Sequence, residues 1–169
     1  MEEKNKKFDL LQEQIQGNVL FNELSRSLYS SGASLYRIKP LAIVQPKSTD
    51  DMVKTIKFAR EHKIPITARG GGTSRTGNEL GTGILIDFCK YLNQIIEFNP
   101  EEKWVRIQPG IVQADLNRWL KSHNLYFPID PSTKDSATLG GMISNNSSGP
   151  HAVKYGTTRS HINSLELIL

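Results

Sequence analysis

The sequence predicts an α+β fold, and three observations carry that expectation. A strand, a helix and a strand succeed one another from Leu41 to Phe88, a hairpin pattern runs from Gln94 to Gln108, and Ile162 to Leu169 reads as one more strand. The first group should form a small parallel unit with the usual right-handed crossover. It should pack beside a mainly antiparallel sheet made of the hairpin and the final stretch.

Taken in order, Phe8, Leu11 and Ile15 recur at helical spacing up to Gly17, and a second helical stretch runs from about Phe21 to Leu28. Residues 30–34, SSGAS, break the pattern. Leu41 to Gln45 is short, apolar and flanked by Pro40 and Pro46, as a strand should be. Ser48 is placed to cap a helix whose first turn carries Asp50 and Asp51 and whose apolar face carries Met52, Ile56 and Ala59. That helix should stop near Lys63, before Pro65, and the next strand begins at Ile64. Gly83 to Phe88 is a further strand. In the hairpin, Pro100 fits the second position of a type I turn, and after Pro109 and Gly110 the residues Val112, Leu116, Trp119 and Leu120 mark a helix ending near Asn124. Trp104 and Trp119 read as packing residues. An apolar strand such as Ile162 to Leu169 needs sheet neighbours, so the chain reads as a fragment truncated at its C-terminus.

Composition narrows the function classes. The 169 residues suit one substantial domain, and no apolar run approaches the length of a membrane span. The N-terminus is charged without an apolar core behind it, so it is not read as a secretory signal, and the protein is expected to be cytoplasmic. Lys and Arg outnumber Asp and Glu by 21 to 17, but the excess is scattered apart from Lys4 to Lys7, which argues against a nucleic-acid stripe and fits an anionic cofactor. One cysteine, Cys89, can form no internal disulfide, and His62, His123, His151 and His161 lack ligand spacing, so no metal site is expected.

The stretch from Ile64 to Asn78 carries the functional signal. A β-branched strand stops at Arg69, and Gly70, Gly71 and Gly72 are followed by Thr73, Ser74, Arg75 and Thr76. Successive N–H groups in such a turn form a concave donor surface for phosphate, to which hydroxyls can add. A Walker loop would place lysine and then Ser or Thr after its last glycine, whereas Gly77 is followed by Asn78 and Glu79. A dinucleotide fingerprint would need glycine at position 75 and a helix there, and the sequence has Arg75 and runs on to another strand. A strand, a glycine loop and a second strand remain. Later, residues 127–156 are dense in Gly, Ser, Thr and Asn yet keep Leu139, Met142 and Ile143, which suggests an ordered functional loop with a short helix at Gly140 and Gly141.

Together, RGGGTSRTGN, the Pro109-Gly110 pair before a helix, and DPSTKDSATLGGMISNNSSG followed by KYGTT resemble the FAD-linked oxidases of the vanillyl-alcohol oxidase or PCMH type. From about Ile38 onward the chain is most similar to the flavin-binding segment of bacterial D-lactate, glycolate and D-2-hydroxyglutarate dehydrogenases, including long members fused to iron–sulfur regions. The resemblance implies a PCMH-type FAD-binding domain at 38–169 behind a helical extension at 1–37, with FAD in the cleft between its two parts.

By that resemblance, Arg69, Gly70, Gly71, Gly72, Thr73, Ser74, Gly77 and Asn78 wrap the FAD pyrophosphate, with Pro109 and Gly110 nearby. Pro131, Ser132, Thr138, Gly140, Gly141, Ser144, Asn146 and Gly149 line the opposite wall, with Tyr155 and Gly156 adjacent. Covalent members often use a histidine near the glycine loop, and 68–87 has none, so the FAD is expected to be non-covalent. The implied reaction is oxidation of a small 2-hydroxy acid to the 2-oxo acid, with hydride passing to the flavin and a base taking the hydroxyl proton. The implied electron acceptor is an iron–sulfur region or subunit, and the substrate residues belong to a cap domain beyond this chain. The implied location is cytoplasmic, including the cytoplasmic face of the membrane. Two alternatives stand beside it: an NADPH-dependent flavin reductase of the cell-wall precursor type, and a non-catalytic phosphate-binding module.

Overall fold

Two short strands, β2 (Ala42–Gln45) and β4 (Ile84–Asp87), are buried at every position, which fits their nearly continuous apolar sequences and puts them at the centre of a sheet. The computed structural model describes residues 2–168. β2 and β4 pair in parallel, with Ala42 opposite Ile84, and β3 (Ile66–Arg69) pairs in parallel on the other side of β4. β1 (Asn18–Leu20) adds antiparallel to β2, giving the order β1-β2-β4-β3. β2 and β3 therefore run parallel as expected, but β4 is inserted between them. The glycine loop itself is the connection between β3 and β4.

β1 was not expected from sequence, because three residues between two helical patterns show no period. Residues assigned to an N-terminal extension pack directly on this sheet. Phe8, Leu11 and Ile15, mostly on α1 (Glu2–Gln14), join Val19, Ala42, Val44, Ile84 and Ile86 in one apolar cluster, closed by Phe58 and Ala59 of α3 (Thr49–Glu61). Leu11 is fully buried, so Leu11→Ala is expected to lower unfolding free energy by about 2–5 kcal/mol, checked by urea denaturation. α3 starts as expected: the Ser48 hydroxyl accepts from Asp51 N at 3.2 Å. It ends at Glu61 with His62 as its cap, and Lys63 then turns left-handed at φ 52° while Ile64 N returns to Ala59 O. The buried Asp51 carboxylate accepts three backbone N–H groups, from Gln16 and Gly17 at 2.9 Å and Lys47 at 2.8 Å. It thereby ties the corner between α1 and β1 to the start of α3.

The second part of the molecule has its own cluster. β5 (Ile95–Asn99) and β6 (Trp104–Ile107) form the expected hairpin, and the Asn99 side chain accepts from Glu101 N and Glu102 N across the turn. Lys103 adds a left-handed residue at φ 57° before β6 resumes. α4 (Gln113–Leu120) and a 3-10 turn end at Asn124, also left-handed at φ 55°. Ile111, Leu116, Leu120, Ile129, Ala137, Leu139 and Met142 pack with the hairpin's Phe98, Val105 and Ile107, and Trp119 meets Phe98 edge-on at 5.0 Å. The short α5 (Leu139–Ser144) falls at the glycine pair, as expected, and α6 (Ala152–Tyr155) follows.

The final strand is corrected by the structure. Residues 163–168 form no ladder among the described residues, and Leu165 and Leu167 are 54% and 69% exposed. Apolar content alone does not make a strand: it favours one only where the segment pairs with a sheet edge, and 163–168 lies on none of the free edges of β1, β3 or the hairpin. The antiparallel sheet beside the parallel unit is accordingly the hairpin alone.

Candidate functional site

The glycine loop leaves the carboxyl end of β3, where a parallel sheet exposes its connections to ligands. The backbone N–H groups of Gly71, Gly72, Thr73 and Ser74 make no hydrogen bond among the described residues. Four successive free donors are what an anion cradle requires. The glycines divide the work. Gly72 and Gly77 adopt φ of +66° and +75°, which turn the chain. Gly70 and Gly71 permit close approach to the second wall: a Cβ would lie 2.1 Å from Thr138 Oγ1 at the first and 1.9 Å from Ser136 O at the second.

The loop hydroxyls shape the loop itself. Ser74 Oγ lies 3.1 Å from Thr76 Oγ1, Thr76 donates to Asn78 Oδ1 at 3.0 Å, and Asn78 Nδ2 donates across the cleft to Asn145 Oδ1 at 2.7 Å. Thr138, buried, caps α5 by accepting from Gly141 N at 3.3 Å, and Ser144 donates to Gly140 O. The Arg69 guanidinium donates to Ser31 O at 2.9 Å and Tyr29 O at 3.3 Å, and stands 5.2 Å from the Tyr29 ring. It thus anchors a strap, residues 31–36, over the loop. Ala33 N reaches Gly72 O at 2.9 Å, and the Tyr36 ring occupies the side of Gly77.

Beneath the loop is a cavity of about 280 Å³ lined by Leu28, Tyr29, Arg69, Gly70, Gly71, Asp87 and Cys89. Buried Asp87 accepts from Tyr29 Oη at 2.6 Å, Cys89 N at 2.9 Å and Gln45 Nε2 at 3.3 Å. Burial, with Asp87 beside it, pushes the Cys89 thiol from its ordinary 9 up to about 12, and the same two causes push Tyr29 to about 12. Both groups stay neutral in the folded chain where the unfolded chain ionises. Their contribution to stability is therefore full below pH about 9 and is lost as pH rises toward 12. Iodoacetamide is expected to label Cys89 far more slowly in native protein than in urea, with Asp87→Asn narrowing the difference.

Other residues expected at the site lie elsewhere. Pro109 and Gly110 pack under α5: Gly140 N donates to Pro109 O at 2.9 Å, and a Cβ on Gly110 would meet Phe88 O at 2.1 Å. They fix the second wall from behind. Pro131 O accepts from Lys134 N in a turn, Ser132 is exposed, and Gly149 lies against Asp130. Asn146, left-handed at φ 47°, accepts from Arg159 N at 3.0 Å. Tyr155 faces a different cavity, of about 260 Å³, with Tyr126, Lys134 and His151. There His151 Nδ1 meets Asp130 Oδ2 at 2.8 Å, and Tyr126 donates to Tyr155 at 2.7 Å, holding its own proton and lowering the pKa of Tyr155. Gly156, at φ +78°, ends α6. Sequence reasoning missed Tyr29, Asp87, Ser136 and Asn145. Only the acidic end of the strand ILID could have signalled one of them.

The loop suits a pyrophosphate ligand: it carries four successive free donors, and its glycines let it lie at backbone distance from a second wall. A family model described as FAD binding domain matches residues 40–169. The chain is 37% identical over 164 residues to a D-2-hydroxyglutarate dehydrogenase of Haemophilus influenzae, covering 95% of this chain and 16% of that protein. It is 37% identical over 146 residues to glycolate oxidase subunit GlcD of Bacillus subtilis, covering 85% of this chain and 31% of that one. Among solved structures, p-cresol methylhydroxylase with substrate bound superposes with a TM-score of 0.71 at 20% identity, over 87% of this chain and 30% of that one. An alkyldihydroxyacetonephosphate synthase gives 0.77 at 24% identity, over 95% and 32%. The chain thus spans from about a sixth to a third of the length of these proteins.

Proposed function

The chain belongs to the FAD binding domain family, and from that premise we propose that it is the cofactor-holding part of a flavoprotein that oxidises a small 2-hydroxy acid to the 2-oxo acid. The observation that carries this reading is the row of free N–H groups from Gly71 to Ser74, on a loop whose Gly70 and Gly71 lie against Thr138 and Ser136. When bound, FAD supplies the hydride-accepting chemistry. The chain's own residues bind and orient. The glycine loop donates to the pyrophosphate oxygens, Thr138 and α5 form the opposite wall, and Asn78 with Asn145 closes one end of the cleft. Attachment is non-covalent in this reading, since 68–87 has no histidine. The residues that take the substrate's proton and the acceptor that reoxidises the cofactor, of iron–sulfur type, lie on segments or subunits beyond this chain. Among the described residues no helix is long and apolar enough to cross a membrane.

The test is to incubate the purified chain with FAD, remove free cofactor by gel filtration and record the visible flavin spectrum. A retained flavin that, once released, becomes more fluorescent on phosphodiesterase digestion, as intact FAD does, supports the reading. A colourless protein refutes it. In the longer protein, bleaching of that spectrum by a 2-hydroxy acid but not by NADPH is the expected result for the substrate class.

A further inference from the structure

The cavity of about 260 Å³ at Tyr155 shares no lining residue with the glycine loop, and its back wall is held in place by side chains. Asn117 donates to Phe127 O at 3.0 Å and accepts from Phe127 N at 2.7 Å, and Gln113 donates to Ile129 O at 2.9 Å. Gln113 lines the cavity and is only 1% exposed, yet its amide oxygen accepts from no described residue. A buried acceptor of this kind calls for a donor. Elsewhere on the lining the unmet groups are of the opposite sense. Lys134 makes no ion pair or side-chain hydrogen bond among the described residues, and Tyr155 accepts from Tyr126 at 2.7 Å, which leaves its own hydroxyl proton unclaimed. His151 commits Nδ1 to Asp130 at 2.8 Å, and its Nε2 has no described partner.

A guest that meets all of these must carry negative charge and a hydrogen-bond donor on one small frame. Size limits it first: pockets for drug-sized ligands run from roughly 300 to 1,000 Å³, and this one is smaller. Charge limits it next. Lys134 and Lys154, the latter 5.1 Å from the Tyr155 ring, stand against one carboxylate, Asp130, a balance that attracts a monoanion but penalises a dianion such as hydrogen phosphate. Phe127, Pro128 and the two tyrosine rings add apolar surface for a short carbon skeleton. We propose that this cavity binds a small hydroxy acid, with Lys134 and Tyr155 donating to its carboxylate and Gln113 Oε1 accepting from its hydroxyl. His151 Nε2 suits either end of such a molecule, since it accepts when the ring is neutral and donates when it is charged. Neither the glycine loop nor a bound flavin takes part in these contacts, so the site stands or falls apart from the reading of the loop as an FAD site.

The experiment is an NMR titration of the isotope-labelled full chain with D-lactate, propionate and inorganic phosphate, for wild type, Lys134→Gln and Tyr155→Phe, with and without saturating FAD. D-lactate is expected to give saturable amide shifts within residues 126–134 and 151–155. Propionate, which lacks only the hydroxyl, and phosphate should each bind at least about fivefold more weakly, and each substitution should weaken D-lactate by a similar factor. Thermal unfolding of the two variants should stay close to wild type, since neither removes a group that holds the back wall. Propionate binding as tightly as D-lactate overturns the proposal in wild type alone, as does the absence of saturable shifts. Equal D-lactate affinity in both variants overturns it as well. Displacement of D-lactate by FAD would make the cavity part of the cofactor cleft and overturn its standing as a separate site. Failure of wild type to bind FAD would instead overturn the reading of the loop and leave the D-lactate result intact.

Discussion

Gly71→Ala is expected to abolish stable retention of FAD, weakening equilibrium binding by at least about a hundredfold. The added methyl would lie 1.9 Å from the carbonyl oxygen of Ser136, a contact between two backbones that no rotamer change relieves. Either the loop or the turn at residues 133–136 must move, and both are walls of the same cleft. The turn is stiff, because Ser136 N and Ala137 N both return to Thr133 O and Gln113 N is bonded to Ala137 O. The loop is therefore the part that yields, and its free N–H groups lose their aim. Each hydrogen bond to a charged acceptor is worth about 1.5–3 kcal/mol, so misdirecting two of them accounts for the loss. Crowding of this kind costs about 1–3 kcal/mol of stability. Fluorescence titration with FAD, run beside chemical denaturation, separates the two effects. A variant that folds and binds like wild type would remove the loop from the site.

Asp51→Ala should be the most destabilising polar substitution, by about 3 kcal/mol or more in urea denaturation. Its carboxylate accepts from three backbone N–H groups on two separate segments, and at 1% exposure water does not replace it. Gly17 makes the loss harder to absorb, since the chain there runs against Gln45 O with no room for a side chain. Asp51→Asn keeps the shape but not the charge and should fall between. A loss below about 1 kcal/mol in Asp51→Ala would show that the corner re-satisfies itself.

Much of this was legible in the residues. The capped start of α3, its stop before Pro65, the hairpin around Asn99 and Pro100, and the glycine pair of α5 all depend on local chemistry, and local chemistry is what spacing and residue type encode. The family followed from three ordered motifs for the same reason. What was not legible depends on distant partners. The role of Asp51 requires Gln16 and Gly17, 35 and 34 residues away, and Asp87 requires Tyr29, 58 residues away. β1 exists because β2 offers an edge, and whether 163–168 pairs depends on a distant edge that its own residues do not encode. Arg69 illustrates the middle case. Its place at the loop was foreseen, but its guanidinium is spent on the carbonyls of Tyr29 and Ser31, which makes it an anchor for the strap.

The two apolar clusters have no side chain in common. Across the cleft the recorded ties are polar and tight-backbone ones: Asn78 to Asn145, and the glycines against Ser136 and Thr138. Hydrogen exchange should resolve this arrangement into two cooperative units joined by a seam of lower protection. Amides of the loop and of residues 136–146 should exchange through a small separation that leaves both cores folded. Binding a ligand that spans the seam should then slow their exchange more than that of β2 and β4, whose buried, central amides are expected to exchange only when the whole sheet opens.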